Sequence, residues 1–315
     1  TGVQGFAVLC VTTPPSGRAP WGPAEGRPFE GRRPLAEAGK RRNGLLLGLA
    51  MRLERGPMTI AALLEPITGR DGPVSLIGAE AWLQGRTLYG GASALVTYTA
   101  AVRAHPGLPP LRSAQIAFAG PVGAEFATRV TVLRAGRNVT QLRSELVVGD
   151  EVGLAATFVF GSAREANALH AAPRCEPWPG APEEREALPS PEALHFIGNF
   201  ELRRAQDESG KGAPVVRRWL RLKDEGGLDP VGRLILIGDT LPPGSMRAMQ
   251  RPGPLSSINW SLNILDPVAE TRGGWWLAES ASDHADHGYS SERLRLWDAD
   301  GRLVMTGMQA AALFG

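Results

Sequence analysis

Apolar and polar residues alternate in two stretches of this chain, each broken by a Gly-Asp or Asp-Gly pair, and the pattern predicts antiparallel hairpins. Residues 141–161 read as a strand, a turn at Gly149-Asp150 and a second strand closing on Phe160-Gly161. Residues 293–315 repeat the plan, with a turn at Asp300-Gly301 and a close on Phe314-Gly315. Ahead of the first hairpin, residues 88–105 are rich in Ala, Leu, Val and Tyr. This run is entered through Gly90-Gly91 and stopped by His105-Pro106, which predicts a buried helix. Strand-like runs follow at 113–118, 126–134 and 138–148. A helix followed by an antiparallel meander is an α+β pattern.

The same order recurs after residues 166–192, whose six prolines between Pro173 and Pro191 predict a linker over the surface. Residues 195–204 and 215–222 read as strands. Residues 228–239 read as a helix, with Asp229 as N-cap and Pro230 at the first helical position. Leu241-Pro242-Pro243 follows this helix as Leu108-Pro109-Pro110 follows the first. Strands are then expected at 256–264, 274–280, 290–297 and 303–314. The chain thus divides into two copies of one unit, 58–165 and 193–315, and a polar residue present in only one copy becomes conspicuous.

Residues 1–57 do not fit this plan. They hold ten Gly, seven Pro and nine Lys or Arg against four Asp or Glu. Their charge of +5 exceeds the +2 of the whole chain, so residues 58–315 carry −3. Lys40-Arg41-Arg42 ahead of Leu45-Leu46-Leu47 suggests a nucleic-acid arm or a targeting segment. The apolar stretch is short and interrupted by Gly44 and Gly48, so composition favours a disordered extension, with Met58 as a candidate native start. No nucleic-acid partner is expected. No apolar run reaches the ~18 residues of a membrane span. Cys10 and Cys175 form neither a disulfide framework nor a zinc cluster, which points to the cytoplasm.

Several short motifs in order resemble the TesB-type double-hotdog acyl-CoA thioesterases. In the first half they are Arg86-Thr87-Leu88-Tyr89-Gly90-Gly91, then Phe118-x-x-Pro121, then the run from Val132 to Asn138. In the second half they are Asp239-x-Leu241-Pro242, Ser257 to Ile264 followed by Asp266-Pro267, and Thr306-Gly307-Met308-Gln309. The resemblance spans residues 77–315. It implies a long helix wrapped by an antiparallel sheet, twice, an acyl-CoA substrate, no metal or other cofactor, and pairing of copies through hotdog sheets. It also implies that an Asp, a hydroxyl residue and a Gln position the attacking water. By position these fall on Asp239, Ser257 and Gln309, with Ser257 standing where the family usually has Thr.

The chemistry suits those residues. A thioester carbonyl is already electrophilic, so hydrolysis needs an oriented water, a carboxylate to take its proton and donors for the oxyanion. A backbone N–H at the helix start, around Gly90 and Gly91, is expected to face the oxyanion, and Arg134 and Arg137 are candidates for the CoA phosphates. Gln309 interrupts an apolar strand, where an amide must find partners. Asp239 also suits a turn that ends a helix. Strict alternation sets Ser257 on the face opposite Ile258, Trp260, Leu262 and Ile264, unless a bulge near Ser256-Ser257 reverses it. The first copy has Ala155 and Pro106 where the second has Gln309 and Asp239, which predicts one site per chain. Asp283-His284-Ala285-Asp286-His287 reads as a solvated loop or a flank of the site mouth rather than a metal centre. A non-catalytic acyl-ligand binder and a hotdog hydratase are the rival readings. Nucleophile-elbow, phosphate-loop and dinucleotide motifs are missing from the sequence.

Overall fold

The computed structural model describes residues 59–76, 78–190, 194–207 and 210–315. The basic segment 1–57, with Cys10, lies outside the described residues. Twelve strands form one sheet: β1 (Gly72–Ser75), β2 (Leu111–Phe118), β3 (Glu125–Ala135), β4 (Val139–Val148), β5 (Glu151–Gly161), β6 (Ala187–Leu188), β7 (Phe200–Arg204), β8 (Val215–Leu222), β9 (Leu255–Ile264), β10 (Trp276–Asp286), β11 (Tyr289–Asp298) and β12 (Leu303–Leu313). Their spatial order is β1-β3-β4-β5-β2-β9-β12-β11-β10-β8-β7-β6. Every pairing is antiparallel. The two repeats therefore meet through equivalent strands, β2 and β9, with Gln115 opposite Ser261 near the middle of the seam. This is a double hotdog.

Among the described residues three α-helices accompany the sheet: α1 (Ile60–Leu64), α2 (Gly90–Ala104) and α3 (Pro230–Gly238). Residues Gly91 to Ala101 of α2 and Val231 to Ile237 of α3 are buried without interruption. An amphipathic stripe is therefore not what distinguishes these helices; they run through the core, packed on each other and, respectively, on β3–β5 and β11. α3 starts where its cap dictates, since the Gly232 N–H donates to Asp229 Oδ1 at 2.9 Å and Pro230 occupies the first turn. α2 stops at Ala104, two residues before Pro106. One hydrophobic cluster runs through both repeats, from Leu95, Phe158 and Phe160 to Leu234, Trp260 and Met305.

Some sequence expectations are corrected. Residues 195–199, read as strand, form a 3-10 turn (His195–Asn199), and the strand begins at Phe200. The apolar Phe196 and Ile197 leave strand geometry so that both can enter the core. Residues 274–275 also precede their strand, which starts at Trp276 and extends to Asp286. The supposed polar loop 283–287 is the end of β10 and its hairpin turn, where His287 and Gly288 take positive φ of 51° and 79°. The proline-rich stretch is no bare tether. Ala187–Leu188 adds β6 to the sheet edge, and buried Cys175 packs with Trp219, Trp275 and Trp297 in a second cluster. Pro173 fixes it by accepting a hydrogen bond from Trp297 Nε1 at 3.3 Å.

The crossing of α2 and α3 requires glycine. A Cβ at Gly91 would fall 2.5 Å from the Leu236 carbonyl oxygen of α3, a backbone atom that cannot turn aside. Gly91→Ala is expected to lower stability by about 1–3 kcal/mol through overpacking. Urea unfolding checks this: the midpoint should fall with an unchanged slope, and an unaltered midpoint would show that the helices can part without cost.

Candidate active site

Asp239 terminates α3, and its neighbours come from three elements. Its carboxylate is buried against the first turn of α2, close enough that a Cβ at Gly90 would lie 2.1 Å from Asp239 Oδ2. The Gly91 N–H donates to it, and Gln309 Nε2 on β12 donates to Oδ1 at 2.9 Å. The expected role of the Gly91 amide in facing an oxyanion is corrected here, because Asp239 already uses that donor. Gly90 begins the helix and lines the adjacent cavity.

Burial raises the Asp239 carboxyl from its ordinary 3.8 to about 7, and the hydrogen bonds from Gln309 and Gly91 oppose this without cancelling it. Tyr89, at the N-cap of α2, is the titratable group beside it. Burial pushes the Tyr89 phenol well above its usual range, the charge of Asp239 adds to that shift, and the Thr240 hydroxyl opposes it. The Tyr89 hydroxyl donates to the Leu236 carbonyl, and its ring stacks on Phe196 at 4.3 Å. The two helix ends are thus tied by one hydroxyl and one carboxylate.

The cavity beside Asp239 has a volume of about 230 Å³ and receives side chains from both repeats and from the turn after the linker. Phe118, Val122 and Leu154 come from the first repeat, Phe196 from the turn, and Leu241 and Met246 from the second. It is an apolar chamber with one carboxylate and a few hydroxyls on its wall, the composition expected of a site for a small, mostly apolar ligand.

Ser257 lines this same cavity, and the reason is a β-bulge. Against β12, Ser257 pairs with Ala311 while Asn259 pairs with Ala310, so Ile258 is the extra residue. Ala311 and Gln309 lie two apart on β12 and share a face. Ser257, opposite Ala311, therefore points to the same side as Gln309 and Trp260. Ile258 is turned outward and is 39% exposed. The face predicted by strict alternation is thus reversed at Ser257 and kept for Trp260, Leu262 and Ile264, all buried.

Gln309 stands behind Asp239 rather than on the chamber wall. The register also supports the comparison between repeats: Ala155 lies opposite Glu145 in β4–β5 as Gln309 lies opposite Glu292 in β11–β12. Arg134 and Arg137 are not brought to this place. Arg134 is on the exposed far end of β3 and Arg137 in the hairpin that follows, roughly 30 Å along the strand from the Val122 end at 3.3 Å per residue. His284 and His287 sit at the exposed β10–β11 hairpin end, and among the described residues no group of three or more His, Cys, Asp or Glu could hold a metal ion. Tyr89, Phe196 and Thr240 were not among the expected site residues. Tyr89 could have been suspected from its place between Leu88 and the Gly90-Gly91 pair; nothing local marks Phe196.

Comparison with known proteins fits this geometry. Residues 79–161 match the family model of the acyl-CoA thioesterase N-terminal domain, and residues 173–313 that of the acyl-CoA thioesterase C-terminal domain. The chain belongs to the TesB-like double-hotdog acyl-CoA thioesterase family. Among solved structures it is similar to a candidate thioesterase II from Thermobifida fusca YX, at 21% identity over 82% of this chain and 99% of that one, with a TM-score of 0.70. The tesB protein of Mycobacterium avium subs paratuberculosis follows at 19% identity, 81% and 98% coverage and a TM-score of 0.63. Acyl-CoA thioesterase II TesB2 of Mycobacterium marinum has 19% identity, 81% and 97% coverage and a TM-score of 0.61. At these identities the likeness is one of fold. No curated protein matches the sequence. No helix among the described residues is long and apolar enough to cross a membrane.

The raised carboxyl carries a stability consequence. Its pKa is higher folded than unfolded, so ionising it opposes folding: the penalty is absent below about 4, grows as pH rises, and is complete above about 7. A shift of this size corresponds to a penalty on the order of 4 kcal/mol. Asp239→Asn keeps an acceptor for Gly91 or Gln309 and removes the charge. It is expected to melt several degrees above the wild type at pH 8, with the gap closing toward pH 4. Equal melting temperatures throughout would show that the carboxylate is not destabilised by its burial.

Proposed function

We propose that the chain hydrolyses acyl-CoA thioesters, with the acyl group in the chamber and Asp239 as general base. The single observation that carries this reading is a buried carboxylate poised near neutrality, bonded by Gln309, on the wall of an apolar cavity it shares with Ser257. A base whose pKa lies near the working pH is both ionised and basic enough to accept a proton from water. Gln309 orients the carboxylate through Oδ1, leaving Oδ2 for the water, and the Ser257 hydroxyl supplies a second contact to hold it.

In the proposed reaction the water oxygen attacks the carbonyl carbon while its proton passes to Asp239. The Gly90 amide, in the first turn and without an intrahelical acceptor, donates to the developing oxyanion. Collapse of the tetrahedral intermediate breaks the C–S bond, and the proton held by Asp239 leaves with the CoA thiolate as the thiol. The carboxylic acid and CoA are the products. Arg134 and Arg137 have no part in this scheme.

Release of free thiol from a panel of acyl-CoAs tests the reading. The wild type is expected to turn over, with kcat/KM rising as pH increases and levelling above a midpoint of about 7. Asp239→Ala should lower kcat by about 10²–10⁴. Binding without thiol release would instead make the protein an acyl-CoA binder.

Ser257 depends on the bulge, so the backbone itself can be tested. Inserting one residue between Ala310 and Ala311 gives Ile258 a partner, restores simple alternation and turns Ser257 to the outer face. Thiol release is expected to fall about as far as in Ser257→Ala while the protein remains folded by circular dichroism. An insertion variant as active as the wild type would remove Ser257 from the mechanism.

A further inference from the structure

The second repeat buries a carboxylate that the scheme above does not use. Glu292, on β11, is 0% exposed, and among the described residues no Lys or Arg forms an ion pair with it. Its partners are neutral donors from one place. Oε2 accepts from the Gly244 N–H at 2.8 Å and from Ser280 Oγ at 3.4 Å, and Oε1 accepts from the Ser245 N–H at 3.4 Å. The Ser280 hydroxyl oxygen also accepts from the Gly244 N–H at 3.2 Å.

Gly244 and Ser245 open the 3-10 turn Gly244–Ala248, five residues after Asp239. Pro243 stands at its N-cap and has no side-chain hydrogen bond to offer. Glu292 therefore supplies from the sheet the acceptor that a Ser or Asp cap would ordinarily supply from the chain. The turn must sit here, because a Cβ at Gly244 would lie 2.3 Å from the Pro214 carbonyl oxygen and 2.7 Å from that of Ser280. Pro243 and Met246 from the same segment line the chamber.

Glu292 is also directly opposite Gln309 in the β11–β12 register, so the two side chains are neighbours on one face. Gln309 holds the carboxylate of Asp239, and Glu292 holds the backbone that follows it. Residues 239–245 are thereby fastened to adjacent strands at both ends. The first repeat uses the equivalent glutamate differently: Glu145, opposite Ala155, is ion-paired with Arg129 at 3.1 Å and Arg143 at 2.6 Å.

We infer that Glu292 is a positioning residue, fixing the segment that sets Asp239 against Gln309 and the first turn of α2. The inference rests on the thioesterase reading for its kinetic consequence, but not for its structural one.

Glu292→Gln keeps the side chain's shape and turns one acceptor into a donor facing an N–H. It is expected to reduce kcat about tenfold with KM within threefold, and to move the pH midpoint of kcat/KM downward as water reaches Asp239. Tyr89 from α2 is the titratable group facing Asp239 and titrates far above this range, while Gln309 and the Gly91 amide are neutral. Ser280→Ala, which removes one donor and little volume, should change kcat and midpoint in the same direction by a smaller amount, about two- to threefold in kcat. A folded Glu292→Gln enzyme with a lowered melting temperature but wild-type kcat and midpoint overturns the inference. If that variant does not fold, wild-type values in Ser280→Ala overturn it. Carbon-13 NMR of the Asp239 carboxyl reads the same midpoint without turnover. A wild type that releases no thiol therefore defeats the thioesterase reading, whereas an Asp239 titration unmoved by either substitution defeats the role of Glu292.

Discussion

Two helix ends pressed together around one carboxylate are the constraint on which the rest of this site depends. The N-terminus of α2 and the C-terminus of α3 approach so closely that Gly90 and Gly91 leave no room for a Cβ, and Asp239 fills the gap. A carboxylate at the C-terminal end of its own helix gains nothing from that dipole, so it relies on the Gly91 amide of the other helix and on Gln309. These two donors do not make up for the lost water, and the carboxyl is left near neutrality, where it can act as both acceptor and donor of a proton. The cost in stability and the usefulness in chemistry have one cause.

The second repeat differs from the first where this carboxylate must be supported. Both repeats place a helix on a meander and a glutamate on the first strand of the closing hairpin. Only the second adds Gln309 opposite that glutamate and ends its helix in Asp, and its bulge in β9 falls at Ile258 whereas that of the equivalent strand β2 falls at Arg112. The first repeat satisfies Glu145 with two arginines; the second leaves Glu292 to two backbone amides of the site's own loop and to the Ser280 hydroxyl of β10. The first repeat is not idle, since it supplies the helix start and half of the chamber wall. The carboxylate of Asp239 thus comes from one repeat and the Gly91 amide that faces it from the other.

Elements governed by local physics were legible in advance. The hairpin at Gly149-Asp150, the helix between Gly90 and Pro106, and the Asp229 cap follow from glycine's access to positive φ, proline's missing N–H and a short acceptor side chain. Misreadings occurred where local preference yields to packing. The run 195–199 has strand-like residues, yet the need to place Phe196 on Tyr89 and in the chamber turns it into a 3-10 segment. The chain around Cys175 looks like a tether until three tryptophans of the second repeat cover it.

The sequence by itself determined that there are two α+β repeats, that the first helix is buried, and that Asp239 and Gln309 occur in one repeat alone, because periodicity, caps and turn residues act over a few positions. Only the tertiary structure decided that Ser257 faces inward, that Gly91 serves the aspartate and that Glu292 reaches the loop beyond it. Each of those depends on which strand lies beside which and on a single unpaired residue in the ladder, and that information is held between segments distant along the chain rather than within any of them.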